Sequence, residues 1–268
     1  MMTVPTNRGW LLSGVRAIRV LLLLLVLALW ETVASFGGSL RSYVPHVWDL
    51  AAALGRVLGE EEFGAHVQAT LIALGSGVAI GGVAGILVGL AITSVRSVRF
   101  VLEPVVLYLG AIPKIVLYPL FIYTLSVGMA SKVGMASLSV FFPVAVSTVG
   151  SAWLVRPVWL RAATVLDAGR WQAVRHVALP AMLPSILTGV QLGVAAGIVG
   201  TVAAESKVGK EGIGHMVIDY YSRLELPEMY VLVLLVFVCA SVLAIGMNRV
   251  LKGLRKAEER QSNQPLLL

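Results

Sequence analysis

Six stretches of apolar residues, separated by shorter polar segments, dominate the pattern of this chain. Each stretch predicts a helix that crosses a membrane. At about 1.5 Å per residue, for example, segment 70–92 would reach roughly 34 Å, enough to span the hydrocarbon core. The six predicted helices occupy residues 20–30, 70–92, 102–125, 133–153, 185–204 and 229–247. Pro113 and Pro119 are expected to break the third helix, and Pro143 lies inside the fourth.

The first apolar stretch allows two interpretations. Basic residues precede it and Val33-Ala34-Ser35 follow it, which is typical of a cleaved signal peptide. Glu31 and the further apolar segments favour an uncleaved first helix instead. We expect Glu31 to lie at the membrane interface near the outer end of this helix.

Residues 37–69 are too polar to cross a membrane, because Gly37-Gly38, Pro45 and the acidic run at 60–62 interrupt them. Five apolar residues nevertheless recur at helical spacing: Val47, Leu50, Leu54, Val57 and Leu58. This pattern predicts an amphipathic helix that either lies on the membrane surface or packs on the body of the protein.

Glycines recur at every fourth position in two of the predicted helices. The second helix carries Gly77, Gly81, Gly85 and Gly89, and the fifth carries Gly189, Gly193 and Gly197. Small residues at this interval form a flat ridge that allows a neighbouring backbone to approach closely. We therefore expect both ridges to be faces for helix packing.

The composition agrees with a protein of many membrane spans, since only 13% of the residues are charged and the mean hydropathy is +0.88. The net charge is +7, and the excess is unevenly placed. Fourteen of the 21 Lys and Arg residues fall in the N-terminus, the second and central connections and the tail, against six in the alternate connections. This bias predicts that both termini and the central connection are cytoplasmic. It favours cytoplasmic loops over nucleic-acid binding.

The central connection, residues 157–184, has a helix-turn-helix pattern. Pro157 suits the first turn of a helix over 158–166, and Asp167-Ala168-Gly169 predicts a turn. A second short helix over 170–177 should end at Leu179-Pro180, because the residue before a proline avoids the helical region. On composition alone this basic segment could either rest on anionic lipid or insert into a partner protein.

The central connection resembles the cytoplasmic coupling loop in permease subunits of binding-protein-dependent ABC importers. Arg161-Ala162-Ala163, Asp167 and Val177-Ala178-Leu179-Pro180 match the spacing of the family's Glu-Ala-Ala, Gly and Ile-x-Leu-Pro signature. Arg161 stands where the family usually has Glu, and Asp167 stands where it usually has Gly. Asp can replace Gly in a turn, because it tolerates a left-handed backbone. Further motifs extend the resemblance over residues 20–255, to the branch that imports nitrate, sulfonates, taurine, bicarbonate or vitamin precursors. They are Trp30-Glu31, Ile112-Pro113-Lys114, Pro119-Leu120-Phe121, Phe141-Phe142-Pro143, Ala204-Glu205 and Gly212-Ile213-Gly214.

The resemblance implies an all-α permease domain at 20–255 in a bacterial inner membrane, with cytoplasmic segments at 1–19 and 256–268. It implies a dimer with a second copy or a paralogue, two ABC ATPase subunits inside, a solute-binding protein outside and lipid around the helices. ATP-driven closure of the ATPases would move the coupling loops and switch the helices from inward- to outward-facing. The residues it assigns to ATPase coupling are Arg161, Ala162, Ala163, Asp167, Ala168, Gly169, Val177, Leu179 and Pro180.

Chemical motifs are scarce in the sequence. No P-loop appears, so ATP hydrolysis is expected on a separate subunit, and no catalytic, metal or cofactor site is predicted. All four histidines are expected in loops, and the single cysteine, Cys239, permits no internal disulfide. The alternative functions are a secondary carrier or channel without an ATPase, and a membrane-embedded enzyme, for which no catalytic group is found.

Charged residues within or beside the predicted helices reduce to Glu31, Lys114 and Glu205. Lys114 is expected at mid-helix, where it would either line the solute pathway or bond to carbonyls freed by Pro113. A pathway cation and the basic loops would suit a small anion. Glu205 is expected to end the fifth helix on the outer side, as part of a gate, as a docking surface for the binding protein or as a solvated helix end.

Overall fold

The computed structural model describes residues 8–36, 38 and 43–262, and within these ranges it contains helices and no strand. The helices are α1 Arg8–Phe36, α2 Val47–Gly59, α3 Phe63–Ser94, α4 Arg96–Ala111, α5 Tyr118–Leu125, α6 Met129–Ser151, α7 Pro157–Val165, α8 Arg170–Ala173, α9 Leu179–Lys207, α10 Ile213–Ser222 and α11 Leu226–Ser262. Short 3₁₀ turns cover Lys114–Leu117 and Ala152–Leu154, and a π-helical turn covers Val174–Ala178. The predicted all-α architecture is confirmed.

Five of the helices are long and apolar enough to cross a membrane, and a sixth span results if α4 and α5 are counted together. These two helices are bent by 86° at the break between them. The break falls at Pro113, where the extended backbone interrupts the helix. Pro119 does not break the helix as expected, because it lies in the first turn of α5, where its missing N–H removes no helical hydrogen bond.

The core of the molecule is α6, which packs between α3 on one side and α9 on the other. The glycines of α3 lie against it: a Cβ at Gly85 would be 2.8 Å from Phe141 O, and one at Gly89 would be 2.7 Å from Thr148 Cγ2. On α9, a Cβ at Gly197 would be 2.8 Å from Val140 Cγ2. Such distances are shorter than van der Waals contact, so both helices approach α6 as closely as they do only because they carry glycine.

Two helices flank this core. Helix α2 packs its buried Ala53 and Val57 against α10 and α11, so the amphipathic segment lies on the body of the protein. Helix α1, in contrast, is attached mainly at its last turns, where Trp30 Nε1 donates to Pro45 O over 2.9 Å. There Glu31 accepts the Val47 N–H over 3.3 Å, at the first residue of α2. The leucines earlier in α1 remain exposed on the single chain.

Several helix ends differ from the sequence predictions. The segment 170–177 does not end at Leu179-Pro180, because the π-helical turn carries the chain directly into α9 and Pro180 lies in the first turn of that helix. The sixth predicted helix was expected to end at residue 247, but α11 continues to Ser262. Residues 1–7 and 263–268, which belong to the predicted terminal segments, and Gly37 lie outside the described residues.

Candidate coupling loop and a buried charge cluster

The central loop, Arg156–Ala178, folds into two short arms joined by a tight turn. Helix α7 ends in a Schellman motif: the Ala168 N–H donates to Ala163 O over 3.0 Å, and the Asp167 N–H donates to Thr164 O over 3.1 Å. Asp167 itself has φ +56°, the left-handed conformation that glycine adopts most easily. Asp is one of the few other residues that tolerate it, which explains how Asp167 can stand where the related signature has Gly.

The second arm begins at Gly169, whose N–H donates to Gln172 Oε1 over 2.9 Å. A groove of about 840 Å³ separates the two arms and is lined by Trp159, Ala162, Ala163 and Pro180 among others. Ala163 is 8% exposed, so it packs inside the loop and does not offer itself to a partner. The rim is different, because Val165, Leu166 and Trp171 are 86%, 81% and 72% exposed.

At the opposite end of α9, Glu205 is 1% exposed. The expectation of a solvated helix end is therefore wrong, because the last turn of α9 is covered by α3 and α10. The Glu205 carboxylate accepts the Thr70 hydroxyl at 2.9 and 3.0 Å and the Gly214 N–H at 3.0 Å. These donors compensate for the removal of the carboxylate from water.

Lys132 is the buried charge that the sequence analysis missed. It was placed in a connection, but α6 begins three residues earlier and includes it, 2% exposed. Its ammonium donates to Glu211 O over 2.6 Å. An isolated lysine just before a long apolar run was the signal that the sequence offered.

Lys114 does not lie at mid-helix as expected. It begins the 3₁₀ turn after Pro113, donates its ammonium to Gly110 O, and lies 5.4 Å from the ring centre of Phe142. This carbonyl is one of those left free where α4 ends. The geometry matches the second of the two alternatives for Lys114, a bond that supports the bend.

Three of the four histidines are not in loops as predicted, and only His46 is. His66 lies in α3, His215 in α10 and His176 in the π-helical turn, while His46 immediately precedes α2. The sequence around these histidines contains too few apolar residues to predict a helix there. Among the described residues, no group of three or more His, Cys, Asp or Glu side chains is placed to hold a metal ion.

The helical core with a structured loop between its spans defines the membrane-embedded part of a transport system. The chain belongs to the family of binding-protein-dependent transport system inner membrane components, whose family model matches residues 81–257. It is therefore a permease subunit of an ABC importer, and ATP is hydrolysed on a separate subunit. This membership decides against a carrier or channel without an ATPase and against a membrane-embedded enzyme. It also implies an ATPase and a solute-binding protein as partners, and an inner membrane location.

Several bacterial proteins resemble the chain. It is 27% identical over 224 residues to a probable ABC transporter permease protein of Haemophilus influenzae, covering 82% of this chain and 90% of that protein. It is 28% identical to the taurine transport system permease protein TauC of Escherichia coli, covering 78% of each. It is 26% identical to the putative aliphatic sulfonates transport permease protein SsuC of Bacillus subtilis, covering 72% of this chain and 70% of that protein.

The fold is also that of a solved transporter subunit. A chain of the inward-facing MetNI methionine ABC transporter superposes with a TM-score of 0.54 and 18% sequence identity, over 77% of this chain and 96% of that chain. At this identity the likeness concerns the fold alone.

Proposed function

We propose that the central loop docks on an ABC ATPase, through the exposed apolar rim formed by Val165, Leu166 and Trp171. The exposure of these three large apolar side chains on a structured loop is the observation that carries the proposal, since exposed apolar surface of this kind is typical of an interaction site. The groove beside it is also apolar along most of its wall. The proposed coupling residues are those of the signature: Arg161, Ala162, Ala163, Asp167, Ala168, Gly169, Val177, Leu179 and Pro180.

Within this set the roles differ. Arg161 and Ala162 are exposed and would contact the ATPase directly. Ala163, Asp167, Ala168 and Gly169 would shape the turn that presents the rim, because their backbones make its hydrogen bonds. Val177, Leu179 and Pro180 join the loop to α9, so that a displacement of the rim reaches the membrane-spanning helix without a flexible joint.

The orientation and assembly follow from charge and exposure. Basic residues gather at the end of the helix core that carries the central loop, which we propose to be cytoplasmic together with both termini. The α10 end then faces the solute-binding protein. We propose a pair of permeases, either two copies or a copy and a paralogue, with lipid against the exposed leucines of α1.

For the solute we propose a small organic anion of the sulfonate class. The support is the pair of relatives named for taurine and for aliphatic sulfonates, which cover most of the chain. Lys114 contributes nothing to this choice, because its ammonium is used at the bend. Uptake of labelled taurine into vesicles, with unlabelled alkane sulfonates as competitors and carboxylates as the comparison, measures the class directly.

The docking proposal is tested by Leu166→Glu, with Leu224→Glu as the matched control. Leu166 and Leu224 are 81% and 75% exposed and lie at opposite ends of the helix core. A charge at position 166 would be buried at the docking surface, and we expect roughly tenfold weaker retention of the ATPase during purification, equivalent to about 1.4 kcal/mol. Leu224→Glu should retain the ATPase fully. Equal retention by both variants would show that the rim is not the docking surface.

A further inference from the structure

Three consecutive backbone N–H groups at the amino end of α10 are capped by side chains from other helices. The first turn of any helix leaves backbone N–H groups without helical partners. Here the Gly212 N–H donates to His66 Nδ1 over 3.0 Å, the Ile213 N–H to Thr70 Oγ1 over 2.8 Å, and the Gly214 N–H to Glu205 Oε2 over 3.0 Å. Consecutive amides of α10 are thus held by α3 and α9, which are elements of the membrane-spanning core.

This capping arrangement depends on glycine at two positions. A Cβ added at Gly212 would overlap the Glu205 carboxyl group, and Gly212 also has φ +108°. A Cβ added at Gly214 would overlap Val202 O and lie 2.8 Å from Glu205 Cβ. The carboxylate can therefore approach the backbone of α10 only where side chains are absent.

Lys132 extends the attachment to α6. Its ammonium donates to Glu211 O in the connection that precedes α10, and a Cβ at Gly209 would lie 3.1 Å from Lys132 Cε. We call the group His66, Thr70, Lys132 and Glu205 the α10 clamp. It joins α10 and its connection to all three helices of the core.

The far side of α10 is also fixed. Met216 and Tyr220 are 5% and 4% exposed and pack with α2 and α11. The Tyr220 hydroxyl donates to Glu60 Oε1 in the connection between α2 and α3. Helix α10 is therefore attached along its length and moves with the helices that hold it.

Stability alone does not account for the clamp. Buried charges lose hydration, and apolar residues of similar size often give an equal or more stable fold. Buried polar groups can instead fix a unique geometry, because each hydrogen bond is made at only one relative position of the two helices that it joins. Glu205 lies in the last turn of α9, whose first residue follows the central loop directly. At about 1.5 Å per residue this single helix extends roughly 40 Å between the clamp and the loop.

We propose that Glu205 is a positioning residue for transport: it locks α10 to the core so that docking of the solute-loaded binding protein on the α10 end is transmitted along α9 to the central loop. This inference rests on the orientation and partners given under Proposed function. It assigns Glu205 a place in communication between the two sides of the membrane.

The test uses the purified permease–ATPase complex in lipid nanodiscs with its binding protein and solute. The measured quantity is the stimulation factor, the ATPase rate with solute-loaded binding protein divided by the basal rate. Glu205→Gln keeps the shape of the side chain but replaces one of its two accepting oxygens by an NH₂ group, which cannot accept a hydrogen bond. We expect its stimulation factor to fall about tenfold. Glu211→Gln is the matched control in the same connection, since only the backbone of Glu211 takes part in the clamp, and it should behave as the wild type.

A second pair of variants decides the case if Glu205→Gln does not assemble. Thr70→Val is nearly isosteric and removes both the hydroxyl donated to Glu205 and the acceptor for the Ile213 N–H, whereas Thr70→Ser keeps both. We expect stimulation to be lost in Thr70→Val and retained in Thr70→Ser, with equal yields of complex. Hydrogen exchange should show faster exchange of the amides at 212–214 in Thr70→Val only.

A stimulation factor equal to that of the wild type in Thr70→Val, with exchange at 212–214 accelerated, would overturn the inference, since the clamp would then be open without consequence. So would equal loss in Thr70→Val and Thr70→Ser, because the hydroxyl would not be what matters. Failure of the proposed function is recognised separately: the wild-type complex itself would then show no stimulation by any solute-loaded binding protein.

Discussion

Replacing Gly81 by alanine should weaken the contact between α3 and α6, whereas the same replacement at Gly82 should not. A Cβ added at Gly81 would lie 2.9 Å from Ser137 C and 3.0 Å from Ser137 Cα, and still closer to the carbonyl oxygen. Because these are backbone atoms, they cannot rotate away as the end of a side chain would. A Cβ added at Gly82 meets no atom within 4 Å.

The two variants share every effect except this overlap. Both exchange glycine for alanine inside α3, which favours the helix by about 1 kcal/mol. Overpacking at a close contact costs about 1–3 kcal/mol. The net change for Gly81→Ala is thus a destabilisation of up to about 2 kcal/mol, and for Gly82→Ala a stabilisation of about 1 kcal/mol. The difference between the two variants isolates the overlap and should be about 1–3 kcal/mol.

Unfolding by titration with sodium dodecyl sulfate in mixed micelles measures this difference, with helix content followed by circular dichroism. The measurement is made on the permease alone, so that partner binding does not enter the free energy of unfolding. Equal free energies of unfolding for Gly81→Ala and Gly82→Ala would refute the packing argument, because they would mean that α3 and α6 separate without cost at this point.

Two further predictions concern the connections. Asp167→Val should destabilise the central loop by about 1–2 kcal/mol, because a β-branched residue at a left-handed position is strained. Asp167→Gly should be neutral or stabilising. Retention of the ATPase and proteolysis of the loop measure the effect of both variants. Burial and the neighbouring Glu60 carboxylate raise the pKa of Tyr220 well above its usual value near 10. Since the raised pKa belongs to the folded state, the contribution of Tyr220 is complete below pH 10 and is lost as the pH rises further. Thermal melts between pH 8 and pH 11 should show a steeper alkaline loss for the wild type than for Tyr220→Phe.

The spans of this protein could be predicted because their apolar runs are long, and a long run outweighs local preferences. The ends of the helices were less predictable. The second span was expected to begin at residue 70, but α3 starts at Phe63. The added turns contain the polar residue His66, whose hydrogen-bond partner, the Gly212 N–H, lies far away in the sequence. Similarly, Leu179-Pro180 has the pattern of a helix end, and only the π-helical turn allows the chain to pass through it.

The burial of Lys132 and Glu205 could not be predicted. Lys132 and Glu205 lie far apart in the sequence, and each alone is compatible with a polar connection. Their burial depends on the close packing of α6 with α3 and α9, which in turn depends on the glycines of those two helices. The sequence contains both the two charged residues and the glycines, but the burial of the charges follows only from the distance at which the helices pack.

The residues of the family-like motifs therefore differ in the physical reason for which the fold requires or tolerates them. Gly212 and Gly214 are required because a carboxylate approaches the backbone there, and Asp167 is allowed because its position needs only a residue that tolerates left-handed backbone. Arg161 has no such reason: it is exposed, and within the part of the chain that the structure describes it makes no ion pair. Nothing inside the described part of the chain therefore requires an acidic or a basic residue at position 161. The exchange of Glu for Arg is compatible both with a complementary acidic surface on the ATPase and with a contact that the ATPase does not need.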